Sequence, residues 1–388
     1  MTKKTPRFGI PVFILLGLSY GVFVFLSIPN DRAVLTYMAG SDASGSPKEK
    51  VFVATHIKTP EPVKAVYITS WVAGMSEQRD RIMALVDETE INAVVIDIKD
   101  YSGKLAFQID NALVAEVGSA ENRILDIREL IAELHEKNIY VIGRISVFQD
   151  PHYAQKYPGQ AVQKASDRSV WRDRKGLSFV DPSSRAFWEY IVEVSKESYK
   201  NGFDELNYDY IRFPSDGDMN DIYYPLSEER LVADPPLGKP IIIENFFAYL
   251  HEKMGGKGAA LSADLFGMTT TSLNDLNIGQ VLERAAPYFD FIAPMVYPSH
   301  YPPSFIGIAN PAAHPYEVVK YSMDEAARRL VAASSTPRKL RPWLQDFDLG
   351  ATYTADMVRA QKKAVYDAGL SSWMLWNSAN TYTRGALD

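Results

Sequence analysis

Eight short apolar runs, each separated from the next by a stretch of helical periodicity, restrict this chain to very few folds. The runs are AVYITSW (Ala65–Trp71), NAVVIDIKD (Asn92–Asp100), IYVIGRISVF (Ile139–Phe148), DELNYDYIRF (Asp204–Phe213), ALSADLF (Ala260–Phe266), FIAPMVYP (Phe291–Pro298), LRPWLQDF (Leu340–Phe347) and SWMLWNS (Ser372–Ser378). Most are apolar nearly throughout, as strands buried on both faces are. Between them, Ile124, Ile127, Ile131 and Leu134 share one helix face. Phe187, Ile191 and Val194 do the same, behind Asp181 as N-cap and Pro182 at the first helical position. Met357, Ala360, Ala364 and Ala368 mark another helix, closed by Gly369. Arg79–Glu88, Ile242–Lys253, Leu276–Ala286 and Tyr316–Ala333 supply the remaining helical stretches. Strand–helix alternation repeated eight times predicts a (β/α)8 TIM barrel spanning residues 61–388. A doubly wound sheet would need a glycine-rich phosphate turn after an early strand, and no G-x-G-x-x-G occurs. The residues after the eighth run are too few for a full helix, so Val51–Ile57 is expected to cover that gap.

The chain before the barrel has a different character. Residues 8–29, FGIPVFILLGLSYGVFVFLSIP, carry no charge, and a run of that length can cross a hydrocarbon core of roughly 30 Å. Lys3, Lys4 and Arg7 precede it and Asp31 follows. The positive-inside rule then makes residues 1–7 a cytoplasmic tip and residues 8–29 a transmembrane signal-anchor embedded in the lipid bilayer, with the remainder exported. A cleaved signal peptide is the alternative, although no clean A-x-A site follows the run. Residues 30–60 read as a stalk, with the small, polar segment GSDASGSPKEK (Gly40–Lys50) at its centre.

Composition narrows the chemistry. The chain of 388 residues has no cysteine, which excludes thiolate nucleophiles, iron–sulfur clusters and Cys-ligated zinc. Its 6 histidines stand in no H-x-H or H-E-x-x-H spacing, so no metal site is expected. Nor does a cofactor motif occur. A net charge of −7, with no basic run beyond the first residues, argues against nucleic acid as a partner.

What remains is the polar content of the strand ends, where barrels of this class carry their active sites. Read in order, those ends hold Trp71; Asp97, Lys99 and Asp100; Arg144 and Ser146; Asn207, Asp209 and Arg212; Asp264; Tyr297; Gln345 and Asp346; and Trp376 with Asn377. The fourth run is the most informative. Glu205, Asn207 and Asp209 share one strand face, while Leu206, Tyr208 and Tyr210 share the other. A polar row on a buried strand is costly unless it is used. Structural alternatives exist: Asp209 could pair with Arg212, Asp97 could pair with Lys99, and Tyr297 and Trp376 could be rim packing. Taken together, carboxylates on several strand ends favour a site. Asp209 and Asp264 are the candidate catalytic pair, with Arg144 expected beside Asp209 and no basic residue near Asp264 in sequence. Asp97, Lys99, Arg144, Asn207, Arg212, Trp171, Tyr297, Gln345, Trp376 and Asn377 are the candidate substrate-binding residues.

Two long loops, Gln149–Val180 and Ser215–Lys239, follow the third and fourth runs and are rich in aromatic residues, as loops flanking a sugar groove can be. DGDMND (Asp216–Asp221) lacks the glycine and the glutamate that a calcium loop requires.

The stretches VYITSW, VVIDIKDYSGKL, GRISVFQDP, GFDELNYDYIRFP, ALSADLFG, APMVYPSHY and WNSANTY together resemble a bacterial family described as a putative glycosyl hydrolase domain, a family of TIM barrels distantly similar to the α-amylase-like glycosidases. The resemblance implies a glycoside hydrolase acting on an extracellular or cell-envelope polysaccharide. In amylase-like barrels the fourth strand supplies the nucleophile and the fifth the acid, which implies those roles for Asp209 and Asp264 and a retaining outcome. This chain departs from that pattern in carrying Asp264 where a glutamate is usual, and Gln345-Asp346 without a histidine on the seventh strand. A non-catalytic polysaccharide-binding barrel, and a metal-dependent hydrolase using Asp97, Asp209 and Asp264, are the other readings.

Overall fold

The computed structural model describes residues 36–38 and 51–388. The expected cytoplasmic tip, the expected membrane span at residues 8–29 and most of the stalk lie outside the described residues. Among the described residues no helix is long and apolar enough to cross a membrane.

The eight expected strands are β1 (Lys64–Ile68), β2 (Ala93–Lys99), β3 (Tyr140–Ser146), β4 (Glu205–Asp209), β5 (Ala260–Phe266), β6 (Phe291–Met295), β7 (Trp343–Gln345) and β8 (Trp373–Trp376). They close into one barrel in the order β8-β1-β2-β3-β4-β5-β6-β7, all neighbours parallel. The β6–β7 seam is thin, with one in-register pair, Met295↔Trp343, and a bridge from Ile292 to Leu340. Pro294 and Pro342 lie along this seam and have no N–H to donate. The longer helices outside the barrel are α1 (Ser76–Glu88), α2 (Ile127–Glu136), α3 (Arg185–Lys200), α4 (Gly238–Met254), α5 (Pro315–Ala332) and α6 (Ala355–Asp367). Their apolar stripes, such as Ile127, Leu130, Ile131 and Leu134 on α2, are buried. Burying each such side chain contributes about 1.5–3 kcal/mol.

Several local expectations are corrected. Asp181 does not cap α3: Ser184 does, its hydroxyl accepting from Phe187 N. Asp181 instead accepts from the backbone N–H groups of Ser183, Leu226 and Ser227, tying one mouth loop to the other. The helix expected over Leu276–Ala286 shrinks to Leu282–Ala285, because Leu276, Asn277 and Gly279 all adopt positive φ. β4 ends at Asp209 rather than Phe213. Tyr210 has φ +52, which breaks the alternation and swings its ring to the barrel mouth. Val51–Ile57 does not cover the outer face of the barrel beside β8. Val51–Val53 pairs antiparallel with Thr36–Met38, and Ile57 N donates to Asp204 Oδ1 at 2.8 Å, at the N-terminal end of β4. The place beside β8 is filled by the C-terminal tail. Ala386 and Leu387 are buried there, and Lys362 of α6 donates to Ala386 O at 2.6 Å.

The barrel interior is divided by chemistry. Ala65, Tyr67, Ala93, Val95, Ile142, Ala293 and Met374 belong to its apolar part. The β4 row forms a polar stack beside them. At the bottom, Glu205 receives Arg341 Nη1 on both oxygens at 2.9 Å and the Tyr140 hydroxyl at 3.1 Å. Asn207 is one layer up and Asp209 is at the top. The polar row foreseen on β4 therefore has a structural foot, and the expected mouth lies above it.

Candidate active site

Three carboxylates from three strands surround one guanidinium. Arg144 on β3 donates through Nη1 to Asp97 Oδ1 (2.7 Å), and through Nε and Nη2 to Asp209 Oδ2 (3.2 and 2.5 Å). Its Nε also lies 4.0 Å from Asp264 Oδ2. Parallel register brings Arg144 level with Asp97 on one side and Asn207 on the other, so the arginine reaches both neighbours. Asp209 Oδ1 accepts from Tyr210 N at 2.6 Å. The partner of Asp209 is therefore Arg144, not Arg212, which turns to Phe213 O and Ser215 Oγ.

Asp264 sits deeper and is held differently. Its Oδ1 accepts from Asn207 Nδ2 (2.9 Å) and Trp343 Nε1 (2.8 Å). Burial first, and then the charge on Asp209, push its carboxyl well above the usual range, against Arg144 and the Asn207 and Trp343 bonds. With Oδ1 occupied as an acceptor, the proton belongs on Oδ2, the oxygen 4.0 Å from Arg144 Nε. Asp97 is also raised, by burial, and receives the Tyr67 hydroxyl at 2.5 Å. Arg144 keeps its proton firmly: burial opposes its charge, but Asp209 and Asp97 outweigh burial. The guanidinium fills the space between the three carboxylates. Among the described residues no cluster of histidines and carboxylates is arranged to hold a metal ion.

The cleft over this cluster has two joined lobes. One, of about 680 Å³, reaches Asp97, Gln149 and Trp71. The other, of about 480 Å³, contains Asp209, Asp264, Tyr297 and His300. Arg144, Tyr210, Arg212 and Trp376 line both. Trp376 is stacked on Tyr67 with centroids 3.9 Å apart and 14° between planes, and Arg144 lies 5.0 Å from its ring.

Of the expected binding residues, Asp97, Arg144, Arg212, Tyr297 and Trp376 are brought to the cleft. The others line neither lobe. Lys99 is fully buried outside the barrel, bonded to Asp150 at 2.9 Å and Ser146 O at 2.5 Å. A register shift between Asp97 and Lys99 separates them, so they do not pair. Trp171 is buried between the two long loops, donating to Asp218 O at 3.0 Å. It packs so closely under Gly217 (φ +112) that an added Cβ would stand 2.6 Å from its ring. Gln345 spends its amide on Ser299 and Phe347 O. Asn377 spends its amide on Asp346 O and Thr381 O. Asn207 lies beneath Asp264 and positions it. Tyr67, Trp343 and Tyr210 were not singled out from the sequence. Tyr67 and Trp343 stand on expected strands with polar atoms on aromatic rings, but nothing local shows what those atoms meet.

A closed parallel barrel with carboxyls at its strand ends is one of the architectures that glycoside hydrolases use. The family described as "Putative glycosyl hydrolase domain" matches residues 65–382, and the chain belongs to it. A hypothetical protein from Ruminiclostridium thermocellum ATCC 27405 is 34% identical, over 51% of this chain and 96% of that one, with a TM-score of 0.45. The PgaB (BpsB) glycoside hydrolase domain from Bordetella bronchiseptica superposes with a TM-score of 0.60 at 15% identity, covering 81% of this chain and 94% of that one. The C-terminal domain of a putative chitinase from Desulfitobacterium hafniense DCB-2 gives 0.50 at 13% identity, covering 84% and 95%. No curated protein matches the chain.

Proposed function

We propose that this barrel hydrolyses O-glycosidic bonds in an extracellular or cell-envelope polysaccharide, with Asp264 as proton donor and Asp209 as the ionised carboxylate. The observation that carries the proposal is the division of roles around Arg144. Asp209 takes two of its N–H groups directly, while Asp264 stays 4.0 Å away, raised by burial and by the charge on Asp209. One carboxyl raised by burial beside another paired with a guanidinium is what acid-assisted glycoside cleavage needs. Asp264 Oδ2 gives its proton to the glycosidic oxygen as the bond from the anomeric carbon breaks. Asp209 meets the developing charge at that carbon. In the retaining course implied by the amylase-like assignment, Asp209 bonds the carbon and water then displaces it, with Asp264 taking the proton of that water.

The test is a screen of the protein on peptidoglycan glycan strands, chitin, teichoic acid and α- and β-glucans, beside Asp209→Asn. Cleavage by the wild type and not by the variant is expected. Binding with no cleavage by either would make the barrel a polysaccharide-binding module. The charge-free run at residues 8–29, flanked by Lys3, Lys4 and Arg7, supports an exported, membrane-anchored enzyme. Membrane-derived protein should then begin near Met1, and a first residue between Asn30 and Ala43 would exclude the anchor.

A further inference from the structure

The cleft does not end at the catalytic cluster. On the side away from Asp264, the lobe lined by Asp97 runs on past Trp71 and Asp100 into a third hollow of about 490 Å³ over Tyr101 and Arg123. Trp71 and Tyr101 follow β1 and β2, and they are 53% and 57% exposed. Both line the same two hollows, so together they offer an open aromatic surface along the groove. Trp71 is also held firm. The Arg123 guanidinium lies 4.5 Å from the centroid of its ring. That guanidinium is itself buried, bonded to the Asp100 carboxylate, to Glu121 at 2.9 Å and to the Ser70 hydroxyl at 3.1 Å. An indole braced on one side by a fixed cation and otherwise largely open is preorganised for stacking, so little side-chain freedom is lost on binding. A second, separate feature lies in the same lobe. Gln149 is 3% exposed, and its side-chain Nε2 has no hydrogen-bond partner. A buried donor without a partner is expensive, and rotation of this amide, whose residue lines the lobe, would present it to a sugar oxygen seated there.

Resting on the glycoside hydrolase reading, we infer that Trp71, Tyr101 and Gln149 form a remote sugar subsite. The enzyme then cuts within long chains rather than at their ends. A groove continuous from the Asp264 lobe to Trp71 accommodates a polymer that passes the cluster on both sides, whereas an end-cutting enzyme needs a blocked pocket. The ligand is an uncapped run of pyranose rings, with an apolar sugar face on Trp71 and a ring or hydroxyl oxygen at Gln149.

The test uses the full chain carrying Asp209→Asn, so that bound glycan persists. Octasaccharide and disaccharide fractions cut from each polysaccharide of the screen are titrated by calorimetry. The same titration is run with Trp71→Ala or Gln149→Leu added, and thermal unfolding checks that each variant folds. In either added variant the ratio of octasaccharide to disaccharide affinity is expected to fall about tenfold. Early wild-type digestion should shorten the polymer before small sugars accumulate. An unchanged ratio in folded variants, no octasaccharide binding at all, or release of terminal sugars alone would overturn the subsite. Octasaccharide binding that depends on Trp71, with no cleavage by the wild type, would instead leave the subsite standing and remove the hydrolase reading.

Discussion

Replacing Trp343 by Phe tests the acid assignment by deleting one hydrogen bond. Trp343 Nε1 donates to Asp264 Oδ1 at 2.8 Å, and both side chains are buried. That bond favours the ionised carboxyl, opposing burial and the charge on Asp209. A hydrogen bond to a charged group contributes about 1.5–3 kcal/mol, and about 1.4 kcal/mol corresponds to one pH unit of titration. The protonated carboxyl also loses a bond to Oδ1, a neutral one of about 0.5–1.5 kcal/mol, so only the difference counts and the titration of Asp264 should move upward by up to about one pH unit. As a general acid, Asp264 must be protonated, so kcat/KM falls on the alkaline side where the proton is lost. The alkaline limb of the profile, measured on a polysaccharide that the wild type cleaves, is expected to move up by that amount. Shrinking a buried indole costs about 2–3 kcal/mol of stability, so thermal unfolding must accompany the kinetics. A folded variant whose alkaline limb stays in place or moves down would refute the role of Asp264.

Asp264→Asn should be more stable than the wild type at neutral and alkaline pH. The folded carboxyl titrates above its ordinary 3.8, so its contribution is complete below that value and is lost as pH rises through the folded pKa. Asparagine keeps an acceptor for Asn207 and Trp343 without that loss, so a Tm difference that does not grow with pH would count against it. Arg341→Met leaves Glu205 buried without its Arg341 partner, which should cost about 3–5 kcal/mol; a Tm change under a degree would show that the pair contributes nothing. Trp376→Ala removes the ring shared by both lobes and should raise KM more than it lowers kcat. Unchanged kinetics with a lowered Tm would assign Trp376 to packing on Tyr67 instead.

The barrel was legible in the sequence because its determinants are local. Continuous apolar runs report strands buried on both faces, and helical spacing reports the layer outside them. Strand alternation likewise placed Glu205, Asn207 and Asp209 on one face before any partner was known. Partners are another matter, because they depend on register between segments far apart in the chain. Arg144 reaches Asp209 across 65 residues and Trp343 reaches Asp264 across 79. A single register shift after Asp97 sends Lys99 outside the barrel to Asp150. Positive φ at Tyr210 brings to the cleft a ring that alternation assigns to the helices. Gln345, Asn377 and Trp171 have the right chemistry for a sugar groove, yet the folded chain uses them to hold its own loops. The sequence by itself determined the barrel and the strand ends that carry its acids. The tertiary structure decided which acid shares the arginine and which stays buried beside it, because charge and burial depend on neighbours that only closure of the barrel brings together.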